Sequence, residues 1–137
     1  MATLRRGAGV AFVVAMALVG CTTPTQSEAQ ASVCDALAQF QEDLDAFRDL
    51  DPETASIDEF RQAVVRVRDS FAELRFYRSE LGEQKVDAVQ QAVDGMATAV
   101  DDLPAGASVS DAVAAVRAQR EELDAAVEDL GSAVECD

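Results

Sequence analysis

The chain has 137 residues, 49 % of them hydrophobic and 5 % aromatic, with no tryptophan and with 26 acidic against 11 basic residues for a formal net charge of −15. That length fits one domain with short tails, and a core of Ala, Val and Leu with few rings suits close-packed helices better than a broad ligand cavity. The acidic balance excludes nucleic-acid binding, which needs a basic face to concentrate phosphate charge, and disfavours direct adhesion to anionic lipid head groups.

Residues 1–6 carry two positive charges, Arg5 and Arg6, and residues 7–19 form an uncharged apolar run. The run falls short of the roughly 20 residues of a spanning helix and has the architecture of an export signal. It ends in Leu18-Val19-Gly20-Cys21, which resembles the lipobox of bacterial lipoproteins. The resemblance covers only the first 21 residues. It implies that the Cys21 thiol receives a diacylglyceryl group and that a signal peptidase cuts between Gly20 and Cys21. It also implies that the mature protein is lipid-anchored on the extracytoplasmic face of the cell membrane. Thr22 and Thr23 follow the cysteine, so no acidic residue marks it for inner-membrane retention. The competing readings are a secretory signal with an incidental cysteine and an uncut anchor.

The expected organisation is a signal peptide at 1–20, a lipidated Cys21 with a flexible tether to 32, and an acidic helical domain at 33–137. Residues 22–32, TTPTQSEAQAS, are small and polar and read as a linker. Cleavage removes two arginines and no acid, leaving 9 basic against 26 acidic residues, a net of −17. A domain so charged stays at a membrane only through a covalent anchor, to which each buried methylene contributes about 0.8 kcal/mol.

The remaining cysteines are Cys34 and Cys136. In an oxidising compartment such a pair reads as a disulfide. Two buried free thiols and an intermolecular bridge are the alternatives. Two thiolates without any histidine leave too few soft ligands for a metal site.

From residue 33 onward the apolar residues recur at helical spacing, with no sustained alternation of period two. A first helix is predicted over 33–50 from Val33, Leu37, Phe40, Leu44 and Phe47, with Ser32 as its N-cap and Asp51-Pro52 as its stop. A second is predicted over 56–81. Ser56 and Glu59 form a capping box, and Ile57, Phe60, Val64, Val67, Phe71, Leu74 and Leu81 line one face, with Arg78 in the intervening slot. A third spans 83–103 through Val86, Val89, Val93, Met96, Val100 and Leu103, after a register break that makes Gly82 a tight turn. Ser108 caps a fourth over 109–135, carried by Val109, Val113, Val116, Leu123, Val127, Leu130 and Val134, with Arg120 in its one polar slot.

Alternating steps of three and four put each apolar stripe on a straight seam, and short connections make neighbouring helices antiparallel. The expected fold is all-α, an antiparallel up-down-up-down four-helix bundle. A three-helix bundle with helices two and three fused is the alternative. The four-helix topology brings Cys34 and Cys136 to one end; the three-helix one separates them and forbids the bond.

The chain has no histidine, so the commonest general base and metal ligand is missing, and a serine or cysteine nucleophile lacks its usual activator. No Gly-rich phosphate loop occurs. Glu121, Asp124, Glu128 and Asp129 fall on the solvent side of helix four, where they read as a solvated face before a weak cation site. No catalytic residue, cofactor or metal ligand is therefore assigned. Helix two carries Arg61, Arg68 and Arg75 at seven-residue intervals, extended by Arg78 beside Phe76 and Tyr77. Such a stripe offers a partner-binding face to an acidic helix or a carboxylate ligand. Otherwise it is a core-flanking edge that pairs with acids on neighbouring helices. The expected function is a non-catalytic binding or structural module for another envelope component. The alternative is a small-ligand carrier with an apolar slot between helices. The whole pattern resembles the small helical lipoproteins of high-GC bacteria; it does not name the partner or the oligomeric state.

Overall fold

The computed structural model describes residues 26–136, and every regular element among them is helical: α1 (Gln26–Arg48), α2 (Ile57–Leu74), a 3-10 turn (Arg75–Tyr77), α3 (Arg78–Leu81), α4 (Glu83–Asp101) and α5 (Val109–Gly131). The 3-10 turn and α3 continue α2 as one broken arm, so the chain makes a bundle of four arms. Residues 1–25, with Gly20, Cys21 and the lipobox, lie outside the described residues.

The expected starts of the second and fourth arms are those observed. Ser56 and Ser108 each accept a hydrogen bond from the backbone N–H three residues on, and Glu59 and Asp111 each accept one from the N–H of the cap. These bonds hold both carboxyls below their ordinary pKa, the backbone N–H contributing most.

The start of the first arm differs from expectation. Residues 26–32, read as tether, belong to α1, and Ser32 is no N-cap: its hydroxyl donates to the Glu28 carbonyl at 3.0 Å, inside the helix. Glu28, Ala29, Gln30 and Ala31 favour helix and no proline interrupts them. The added turns are also docked, since Gln30 Nε2 donates to the Glu135 carbonyl at 2.8 Å. The other ends are shorter than the patterns suggest, with α1 stopping at Arg48, α4 at Asp101 and α5 at Gly131.

Gly82 separates α3 from α4 by a single residue. Its N–H donates to Arg78, closing α3, while its carbonyl accepts from Val86, opening α4. This double role requires φ +97°, a region that favours glycine. Lys85, in the first turn of α4, donates to the Asp129 carbonyl at 3.2 Å and so serves the carbonyl end of α5.

The arms run antiparallel. Phe47 packs on Phe60 and Phe40 on Phe71, with ring centroids 5.2 and 5.6 Å apart, which sets α1 against α2 in opposite directions. Arg78 reaches Asp87 where α3 and α4 meet, and Val65 of α2 and Asp94 of α4 line one groove further along the seam. Gly95 meets Gln119, and Lys85 meets the end of α5. The molecule is thus two helical hairpins, α1 with α2 and α4 with α5, joined chiefly through α2 against α4. The core holds the apolar residues singled out above, and the small residues Ala63, Ala92, Ala97, Ala112 and Ala126 let the arms approach. Ile57, Leu103, Val113 and Val134 are partly buried at its margins. Cys34 and Cys136 are disulfide-bonded with their Cα atoms 5.6 Å apart, a closure the three-helix alternative cannot make.

Candidate functional site

Helix α2 lies between α1 and α4, and three kinds of side chain remain on its outer surface. On the flank toward α4, Arg68 and Arg75 line a groove of about 350 Å³ together with Val65, Asp69, Ala72, Gln90 and Asp94. Arg61 is exposed one heptad earlier on the same side. On the flank toward α1, Arg66, Asp69 and Glu73 border a shallower groove with Gln39 and Asp43. Val65, on the α4 flank, and Phe76, in the 3-10 turn and beside α1, are exposed by 50 % and 83 %, the two exposed large hydrophobic residues among those described.

The arginines do not behave alike. Arg78 turns into the seam, where its Nη2 donates to Asp87 at 2.9 Å while its Nε is buried without a hydrogen-bond partner. It ties α3 to α4 and does not extend the stripe. Arg61, Arg66, Arg68 and Arg75 make no ion pair or side-chain hydrogen bond among the described residues. Of the stripe Arg61, Arg68, Arg75 and Arg78, Arg78 alone makes the ion pair expected of a bundle edge among the described residues. Asp94, one of two acids in the groove, accepts from Gln90 instead, at 2.9 Å.

The acids of α5 remain on its exposed side. Asp124 is engaged across the bundle with Arg48, which also binds Asp45 at 2.9 Å. Partial burial opposes the charge of Arg48, but the hydrogen bonds and charges of Asp124 and Asp45 outweigh it and raise its pKa. No three His, Cys, Asp or Glu side chains among the described residues are grouped to hold a metal ion. No described helix is long and apolar enough to cross a membrane.

The bonded pair, Cys34 and Cys136, lies at the end of the bundle where α1 begins and α5 has finished. The remaining depressions are open grooves. The largest, about 500 Å³, is bordered by Ser32, Asp35, Gln39, Glu73, Phe76 and Tyr77. The exposure of Val65 and Phe76 together was not anticipated. Its signal in the sequence is that Val65 and Phe76 fall off the four-three stripe of buried residues along this arm.

No protein-family model matches the chain, and comparison with curated proteins and with solved structures finds no significant match.

Proposed function

We propose that the mature protein is an extracytoplasmic lipoprotein, anchored to the cell membrane through Cys21, which acts as a non-catalytic binding or structural module for another envelope component. The observation that carries this reading is the order of features along the chain. A two-arginine start, an uncharged apolar run and Leu18-Val19-Gly20-Cys21 precede, by four residues, a helical bundle closed by Cys34–Cys136. A disulfide between the ends of the domain suits an oxidising compartment outside the cytoplasm. A charge of −17 on the mature chain leaves fatty acids as the means of holding it to a bilayer. The absence of histidine from the sequence and the pairing of two of its three cysteines support a role without catalysis.

The small-ligand carrier has less support. Val67, Val89 and Met96 are fully buried along the bundle axis, and the described grooves are open and bordered by charged side chains. An apolar ligand is better held in an enclosed site.

The test is metabolic labelling with an alkyne-bearing palmitate analogue in the native host. The wild-type protein is expected to take the label and to fractionate with membranes, and Cys21→Ser to lose both properties. A wild-type chain that carries no label removes the anchor and the localisation together.

A further inference from the structure

We propose that the outer face of α2 is a docking seam for an acidic amphipathic helix of a partner protein, a reading that rests on the proposed role as a binding module. Both exposed large hydrophobic residues of the described chain lie on this one arm, Val65 in α2 and Phe76 in the 3-10 turn that follows it, with exposed Ala72 between them. Seven residues are close to two helical turns, so Val65 and Ala72 form one line along α2, and Phe76 stands beyond its end in the 3-10 turn. Beside that line runs the ridge Arg61, Arg68 and Arg75, with successive members about 10.5 Å apart along the axis. The face thus has an apolar strip and a charged flank, the two components with which a coiled-coil helix selects its neighbour.

Charge complementarity names the occupant. Of the nine basic residues after Gly20, Arg48 and Arg78 are ion-paired and Lys85 is hydrogen-bonded within the fold. Four of the six that stay unpaired, Arg61, Arg66 and Arg68 on α2 and Arg75 in the 3-10 turn at its end, stand on this arm. They remain so on a chain with 26 acids. The groove is also shaped for side chains from outside: Arg68 and Arg75 stand along it, Ala72 leaves space between them, and Val65 gives it an apolar wall. A helix with small apolar residues facing Val65 and Ala72, and with Glu or Asp at seven-residue spacing facing the ridge, meets the open guanidinium groups and must hold its acids clear of Asp69 and Asp94. Guanidinium groups suit this role because each binds a carboxylate through two parallel hydrogen bonds.

The experiment uses the full chain in its native host, with p-benzoylphenylalanine in place of Ala72, and at Glu121 on α5 as the control position. After irradiation, the crosslinked residue of the captured segment is located by mass spectrometry. The expected result is an adduct specific to position 72, joined to a segment whose acidic residues recur at three-, four- or seven-residue steps beside apolar ones. Arg68→Glu with Arg75→Glu in the same chain is expected to abolish that adduct, and Arg68→Lys with Arg75→Lys to keep it. Both changes are at exposed positions, so circular dichroism and the melting temperature stay those of the parent. The proposal is overturned by no adduct above the control, or by an adduct to lipid, to a second copy of this chain, or to a segment without that acidic pattern. It is equally overturned if the adduct survives charge reversal. Palmitate labelling of the same cells scores the anchor separately. Labelled Cys21 without an adduct removes the seam alone, and an adduct on an unlabelled chain removes the anchor alone.

Discussion

Cys34 and Cys136 stand 102 positions apart in sequence and 5.6 Å apart between Cα atoms. Their bond closes nearly the whole bundle into one loop and also holds the first turns of α1, where Gln30 reaches the carbonyl of Glu135. In the chain-entropy account, a loop of about 100 residues is worth up to ~4.7 kcal/mol, and typical measured values are about 2–4 kcal/mol. Replacing both cysteines by serine is expected to lower the melting temperature by roughly 10–20 °C, since about 1 kcal/mol corresponds to several degrees in a domain of this size. Adding a reductant to the wild type should reproduce the shift. A melting curve indifferent to reductant contradicts the closed loop.

Gly95 allows α4 and α5 to approach. A Cβ at that position would stand 3.0 Å from Cγ of Gln119. Elsewhere in a helix interior, Gly→Ala gains about 0.5–1 kcal/mol. Here Gly95→Ala is expected to lose that gain to the clash, and to recover it in a Gln119→Ala background. Gly131, with open space around its missing Cβ, is the control, and Gly131→Ala should stabilise. Urea unfolding of the four combinations measures the coupling, and strictly additive effects would show that the contact does not constrain the helices.

The two capping boxes give stability a pH dependence of known sign. Glu59 and Asp111 have folded pKa values below their ordinary ones, chiefly through the backbone N–H groups of Ser56 and Ser108. Their contribution is fully present above the unfolded values, about 4.3 for Glu and 3.9 for Asp, and is lost as pH falls through the lower folded values. The stability difference between wild type and the Glu59→Gln, Asp111→Asn variant should be constant near neutrality and shrink below about pH 4. Comparing two chains cancels the relief of acid–acid repulsion that acidification brings to both. Ser56→Ala is expected to cost about 0.5–2 kcal/mol at neutral pH.

Phe40 is fully buried against Phe71 at the junction of α1 and α2. Truncation to alanine removes the ring and leaves a cavity in a core with few aromatics, at a cost of about 3–5 kcal/mol. Phe76→Ala, at an 83 % exposed position on the next stretch of the same arm, should change stability by less than about 0.5 kcal/mol. Chemical denaturation of both variants separates the buried ring from the displayed one. A substantial loss from Phe76→Ala would mean that the side chain packs within the fold and is not available to a partner.

The four-three spacing of Val, Leu and Phe was enough to identify the buried face of each arm, because a helix has one period and the longest apolar stripe of each arm is the one that packs inward. Ser56 with Glu59, and Ser108 by itself, marked two helix starts for the same local reason; the part of Asp111 came with the structure. Gly82 marked a turn because the register of apolar residues breaks there. The start of α1 was not legible: Gln30 and its neighbours are polar, and their helix is held by a carbonyl 105 residues away. Nor was the different fate of the arginines. Arg78 and Arg75 stand in nearly the same sequence setting, but the 3-10 turn between α2 and α3 brings one to Asp87 and leaves the other beside the groove.

The sequence by itself determined the helical class, the inward residues, the two capped starts and the one possible pairing of the bundle's cysteines, all properties of local period and composition. Only the tertiary structure decided which cations find a carboxylate, where α1 begins, that Gly95 stands against Gln119, and that Val65 and Phe76 stay exposed. Those outcomes depend on distances between arms, and such distances are set by how the whole core packs, beyond what any window of neighbouring residues encodes.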